Sequence, residues 1–170
     1  MRLMFLTLLI VSFNFSFATV NEEVKGGLTW YTDLAKAQEA SEKSNKPIFG
    51  FFTGSDWCGW CKMLQRNVFV KESFIAWAKE NVILLELDFP KKVQQSAELR
   101  TQNRNLATAL GVRGYPTVWL FTASVNPEDG GYHLTRMGKL GYPRAEKGKE
   151  AEKFLSDANA ILAAVENTAN

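Results

Sequence analysis

Two uninterrupted apolar runs constrain this chain most: Pro47-Ile48-Phe49-Gly50-Phe51-Phe52 and Val82-Ile83-Leu84-Leu85. A strand with one wet face alternates apolar and polar side chains. A continuous run suits a strand covered on both faces, as in a parallel sheet between helices. Between the runs, 58–68 and 73–81 carry helical patterning, marked by Met63 and Leu64 and by Phe74, Trp77 and Ala78. Strand, helix, strand at this spacing is a βαβ unit.

The remaining segments fit around that unit. Leu28, Thr29 and Trp30 read as a short edge strand. Thr32 or Asp33 caps a helix to about Ser44, which Asn45-Lys46-Pro47 ends. Leu99, Leu106 and Leu110 predict a helix over about 96–110, with Gly111 as its stop. Residues 117–121 are the next strand, 126–131 the strongest turn signal, and 132–138 the return strand of a hairpin. Phe154, Ala158, Ile161 and Val165 make an amphipathic closing helix. The order is βα, βαβ, α, ββ, α. It predicts an α/β fold with a central mixed β-sheet and helices on both faces.

Composition narrows the function classes. Of 170 residues, 46% are hydrophobic and 22% charged, which suits one globular domain with a sizeable core. Twenty basic residues nearly balance 18 acidic ones, and no basic block stands out, so no nucleic-acid partner is expected. Two Cys cannot staple a mini-protein. With the single His133 they cannot close a four-ligand zinc site.

Met1-Arg2, the apolar run 3–11 and the small residues Ser16 and Ala18 read as a secretory signal peptide over 1–18. The rival reading, a membrane anchor, needs roughly 20 apolar residues; this run is shorter, and Asn14 and Ser16 interrupt it. Residues 19–27 are polar and read as a loose lead-in, and 28–166 as the folded domain. The mature protein is therefore expected outside the cytoplasm, in the periplasm or secreted, where disulfides persist, with no membrane insertion after cleavage.

The chemistry centres on Trp57-Cys58-Gly59-Trp60-Cys61-Lys62, which follows the first buried strand and opens a helix. Two intervening residues on a first helical turn let the sulfurs reach disulfide distance. Cys58, at the helix start, faces free N–H groups that favour a thiolate, and Cys61 lies one turn deeper. Cys58 is thus the candidate nucleophile on a substrate disulfide. Cys61 is the thiol that resolves the mixed disulfide. An inert structural disulfide is the plainer alternative, but a loop this short constrains the unfolded chain little. Lys62 stands where a haem-attachment motif would need His.

With Leu87-Asp88 closing the second core strand and Tyr115-Pro116-Thr117 opening the hairpin, this motif resembles the thioredoxin-like family over about 28–165. The resemblance implies that Pro116 follows a cis peptide bond beside the two sulfurs. It also implies that the backbone of Tyr115 pairs with a bound peptide. Trp57, Gly59, Trp60, Tyr115 and Pro116 are accordingly the candidate substrate-binding residues. Trp57 is expected to half pack under the active-site turn and Trp60 to face outward. Two departures from many thioredoxins stand out. Their buried Asp falls here on Phe51 or Phe52 and its Lys partner near Leu84, and the inner pair is Gly59-Trp60 rather than Gly-Pro. Asp56 and Lys62 are expected to be solvated.

The function expected is protein thiol–disulfide exchange, with protein thiols and disulfides as substrates and no cofactor beyond the dithiol. No Gly-rich dinucleotide fingerprint occurs, so a separate redox partner must recharge the pair. Gly59 after the nucleophile, as in reducing thioredoxins, favours a reductase; isomerase or oxidase is the alternative. A chaperone-like peptide-binding module and a thiol-based metal carrier are readings from other classes. The protein is expected to be a monomer. Trp30, Trp77 and Trp119 read as core or sheet surface, His133 as a surface residue, and Lys91, Lys92 and the charges over 100–104 as a solvated face.

Overall fold

The computed structural model describes residues 22–169, so the expected signal segment lies outside the described residues. Among the described residues six strands form one mixed sheet: β1 (Glu22–Lys25), β2 (Leu28–Tyr31), β3 (Ile48–Thr53), β4 (Ile83–Asp88), β5 (Thr117–Val125) and β6 (Tyr132–Leu140), in the order β1-β2-β4-β3-β5-β6. β3 runs parallel to β4 and antiparallel to β5; β2 runs parallel to β4. The two apolar runs are thus the sheet centre, and every residue of β3 is buried.

Among the same residues five α-helices cover both faces: α1 (Leu34–Ser44), α2 (Gly59–Leu64), α3 (Glu72–Asn81), α4 (Ala97–Ala109) and α5 (Glu150–Ala169). One core lies under α2, α3 and α5. There Leu64, Phe74, Ala78 and Phe154 meet Trp30, Phe49, Phe51, Leu84 and Val118. The other lies under α1 and α4, where Leu34, Ala37, Leu106 and Leu110 meet Ile48, Phe52, Leu85, Leu87 and Phe121. The period-2 alternation of β3 produces this division: Phe49 and Phe51 face one core, Ile48 and Phe52 the other. Asp33 is the cap of α1, its side chain accepting from Lys36 N–H at 3.0 Å. Ser96 caps α4 in the same way, and Gly111 stops it at φ 63°.

Two expectations need correction. The lead-in is not loose: Glu22–Lys25 pairs antiparallel with Leu28–Tyr31 across Gly26 and Gly27, both at positive φ. β1, not β2, is therefore the edge strand. The helix expected over 58–68 also changes pitch. After Leu64 a wider turn, Gln65–Phe69, follows, with Val70 N–H donating to Gln65 O five residues back at 3.1 Å. The turn carries Val68 and Phe69 into the core together. Phe69 stacks on Phe74 with ring centroids 4.7 Å apart and also meets Trp30, Phe49 and Phe51.

Candidate active site

The site begins where β3 runs out. Gly54 O accepts from Trp57 N–H at 3.2 Å and from Cys58 N–H at 2.8 Å, closing a tight turn that presents Cys58 as the N-cap of α2. Cys58 and Cys61 form a disulfide with Cα atoms 5.3 Å apart. Cys61 N–H donates to Cys58 Sγ at 3.2 Å, so an orphan amide of the first turn already faces the sulfur. On reduction that amide favours a thiolate at Cys58. Cys61 is fully buried, whereas Cys58 keeps 4% of its surface and lies between exposed neighbours. The pair is therefore asymmetric in solvent access.

A second segment, 88–93, straps this turn in place. Phe89 N–H donates to Thr53 O at 2.9 Å. The Asp88 carboxylate accepts from Ser55 N–H at 2.8 Å and Ser55 Oγ at 2.6 Å. Trp57 Nε1–H donates to Phe89 O at 2.8 Å, and Lys91 Nζ sits 4.2 Å over the Trp57 ring. Asp56 is not simply solvated, as the sequence suggested. Its carboxylate accepts from the N–H groups of Lys91 at 3.0 Å, Lys92 at 2.6 Å and Val93 at 3.3 Å. Those amides, that of Lys91 foremost, hold its carboxyl below the ordinary value. Lys62 Nζ reaches the backbone oxygen of Asp56, at 3.4 Å, rather than its carboxylate.

The aromatic candidates fall into two groups. Trp57, 38% exposed, meets Tyr115 edge-on at 5.7 Å, and Tyr115 leans on Phe89 at 5.2 Å. Trp60, 58% exposed, meets Tyr142 edge-on at 5.1 Å. Gly59 is exposed between the two Cys, and the Tyr115–Pro116 peptide is cis. The turn bearing Tyr115 and Pro116 is thus brought against the Trp57 side of the Cys pair. Burial pushes the Tyr115 phenol up, which keeps it neutral. His133 is exposed near the hairpin turn, opposite Ser124.

Phe51, not Phe52, shares the buried cluster of Cys58 and Cys61, and Leu84 lies there as well. The carboxylates on that sheet face stand one strand over. Glu86 is the register partner of Phe51, and Asp88 that of Thr53. Both are engaged. Asp88 holds Ser55, and Glu86, 12% exposed, accepts from Lys25 Nζ at 2.6 Å. Burial works to lower the Lys25 pKa, but Glu86 and Glu23 outweigh it and hold the ammonium above its usual value.

Sequence reasoning missed three supports of the site. The sequence reads 100–104 as a solvated helix face, yet Asn103 within it is 1% exposed and donates to Asp88 O at 2.9 Å. It sits three residues before Leu106 on the buried face of α4, which is the signal that marks it. Asn67 donates to Tyr142 Oη at 2.7 Å and so braces the ring that backs Trp60. The Lys25–Glu86 pair needed β1, for which a four-residue polar strand gave no pattern.

Comparisons with known proteins agree with this geometry. A family described as thioredoxin-like domain matches residues 34–133. The Chlamydia pneumoniae protein named disulfide bond reductase DsbH is 38% identical over 111 residues, 65% of this chain and 63% of that protein. The thioredoxin-related protein DsbJ of the same organism is 25% identical over 95 residues, 56% of this chain and 27% of that one. The match thus spans under two thirds of either relative's length. Among solved structures, a DsbH oxidoreductase superposes with TM-score 0.67 at 26% identity, covering 90% of this chain and 95% of that one. A Thermus thermophilus thioredoxin gives 0.53 at 15% identity over 79% and 87%, a likeness of fold.

Proposed function

Because this chain belongs to the thioredoxin-like domain family, we propose that it is a protein thiol–disulfide oxidoreductase, working outside the cytoplasm as a reductase. The observation that carries the reading is the Cys58–Cys61 disulfide at the mouth of α2, with an amide on Cys58 Sγ and Cys61 fully buried behind it. In the reducing direction the Cys58 thiolate attacks a substrate disulfide. A Cys58–substrate disulfide forms and one substrate thiolate leaves. Cys61, as thiolate, then attacks Cys58 Sγ; the intramolecular disulfide forms and the second substrate thiolate leaves. The substrate gains two electrons and the Cys pair loses two. A separate dithiol partner must return them.

Trp57, Gly59, Trp60, Tyr115 and Pro116 form the substrate rim in this reading. The exposed indole of Trp60 offers apolar area beside the nucleophile, and aromatic side chains favour such contacts. Reduction is favoured over isomerisation or oxidation by Gly59 after the nucleophile and by the name of the DsbH relative. Export is supported by the leader-like start of the sequence. Among the described residues no helix is long and apolar enough to cross a membrane.

Trapping tests the division of labour. Cys61→Ser leaves the mixed disulfide without an internal exit, so it should accumulate covalent substrate complexes that dithiothreitol releases, whereas Cys58→Ser should not. Equal trapping by both variants would overturn the assignment. Direction is tested by the reduction potential: a reductase should lie near the thioredoxin value of about −270 mV, and a value near about −120 mV would mark an oxidase.

A further inference from the structure

We propose that a cleft beside the Tyr115–Pro116 turn binds an acidic segment of the substrate polypeptide, close to the cysteine that Cys58 attacks; the proposal rests on the oxidoreductase reading. The cleft holds about 580 Å³ and is lined by Gly111–Gly114, Thr117, Trp119 and the end of β6, Lys139–Gly141. Gly114 and Thr117 bracket Tyr115 and Pro116, and a Cβ built on Gly141 would stand 3.8 Å from Pro116 O. The cleft therefore opens from the same turn that meets Trp57. An extended peptide advances about 3.3 Å per residue, so a few residues carry a bound chain from one to the other.

The lining is cationic and unpaired. Lys139 lies beside Trp119 in register on one sheet face, and Arg113 stands on the facing loop. No acidic residue lines the cleft, and neither cation belongs to any ion pair among the described residues. The clefts along α5 also hold Lys139 and Arg144 as unpaired cations but carry carboxylates as well: Lys153 is held by Asp157, and Lys149 by Glu152. Trp119 lines the same cleft, its indole N–H shielded from solvent behind the wall. An Arg and a Lys on one polar cavity are a donor pair for carboxylates. Guanidinium in particular matches a carboxylate in two parallel hydrogen bonds.

The test is binding to the oxidised protein, which needs no turnover. A cysteine-free peptide rich in Asp and Glu, its neutral Asn/Gln counterpart and its Lys counterpart are titrated at low salt. Binding is read by calorimetry and by the indole N–H resonance of Trp119. The acidic peptide should bind about tenfold or more tightly than the neutral one, equivalent to roughly 1.4 kcal/mol, and should move the Trp119 resonance. Salt should weaken it. Arg113→Gln combined with Lys139→Gln should abolish the preference, and Arg113→Lys with Lys139→Arg should retain most of it. Equal binding of acidic and neutral peptides, or a preference that survives the double Gln variant, would overturn the proposal. Reduction of a neutral peptide disulfide by the native protein is measured separately. Its absence would count against the oxidoreductase reading and leave the cleft to be decided by the binding data.

Discussion

Cys61 has no surface in contact with water, and its apolar neighbours include Phe51 where many thioredoxins place a carboxylate. Desolvation disfavours a thiolate, so the Cys61 thiol should give up its proton late. The charged groups of that sheet face are committed elsewhere. Asp88 holds the Ser55 hydroxyl and amide, Glu86 holds Lys25, and the Asp56 carboxylate is saturated by three amides. None is a free base for Cys61. Resolution of the mixed disulfide should therefore be limited by the thiolate fraction and quicken by about tenfold per pH unit through the neutral range. Mixing reduced protein with an aromatic disulfide in a stopped-flow cell reads the attack and resolution phases separately. A second phase that stays flat from about pH 6 to 9 would show that another group already removes the proton.

At the scale of elements, the active-site turn is held by segment 88–93, not by its own hydrogen bonds alone. Gly54 makes this possible. A Cβ there would stand 2.4 Å from the Trp57 ring, so Gly54→Ala must push the indole away from Phe89 O and from under Lys91. We expect a loss of about 1–3 kcal/mol in stability, typical of overpacking. A fall in disulfide reduction should go with it, read by urea unfolding and insulin turbidity. Asp56 gives the strap a pH dependence. Its folded pKa lies below the unfolded value of about 3.9. Its stabilisation is therefore complete above the unfolded value and is lost as pH falls through the folded one. Asp56→Ala should lower the urea midpoint at about pH 7 and change it little at about pH 2. A midpoint difference independent of pH would show that the carboxylate's charge is not what holds residues 91–93.

For the whole molecule, what was legible in the sequence was what repeats or saturates. The saturated runs of β3 and β4 gave the sheet centre. The cap at Asp33, the stop at Gly111 and the turn at 126–131 gave element limits, and the spacing of the two Cys gave the disulfide. The supports of the site were not legible because each joins elements far apart in the chain. Asn103 meets Asp88 O from α4, Asn67 meets Tyr142 from the wide turn after α2, and Lys25 meets Glu86 from an edge strand without apolar pattern. A single polar residue carries no period of its own; of the three only Asn103 is marked, by its place one turn before Leu106 on the buried face of α4. The wide turn itself is local, but its effect is long-range: it turns Phe69 into the ring cluster of Trp30, Phe49, Phe51, Phe74 and Phe154. Phe154 closes that cluster from α5, 1% exposed, with rings of Phe49, Phe69 and Phe74 at 6.1, 5.9 and 6.3 Å. The same helix packs Ile161 against Gly138 of β6, where a Cβ would meet it at 2.8 Å. The closing helix is thus seated both on the core behind the Cys pair and on the hairpin. Phe154→Ala should cost about 3–5 kcal/mol, the range for a buried Phe that leaves a cavity. Because α5 touches the turn that carries α2 into the core, the loss should extend to the site. Hydrogen exchange should speed up at Cys61 and Leu64 as well as along α5. Faster exchange confined to α5 would show that the helix is an independent lid and not part of the scaffold that holds the dithiol.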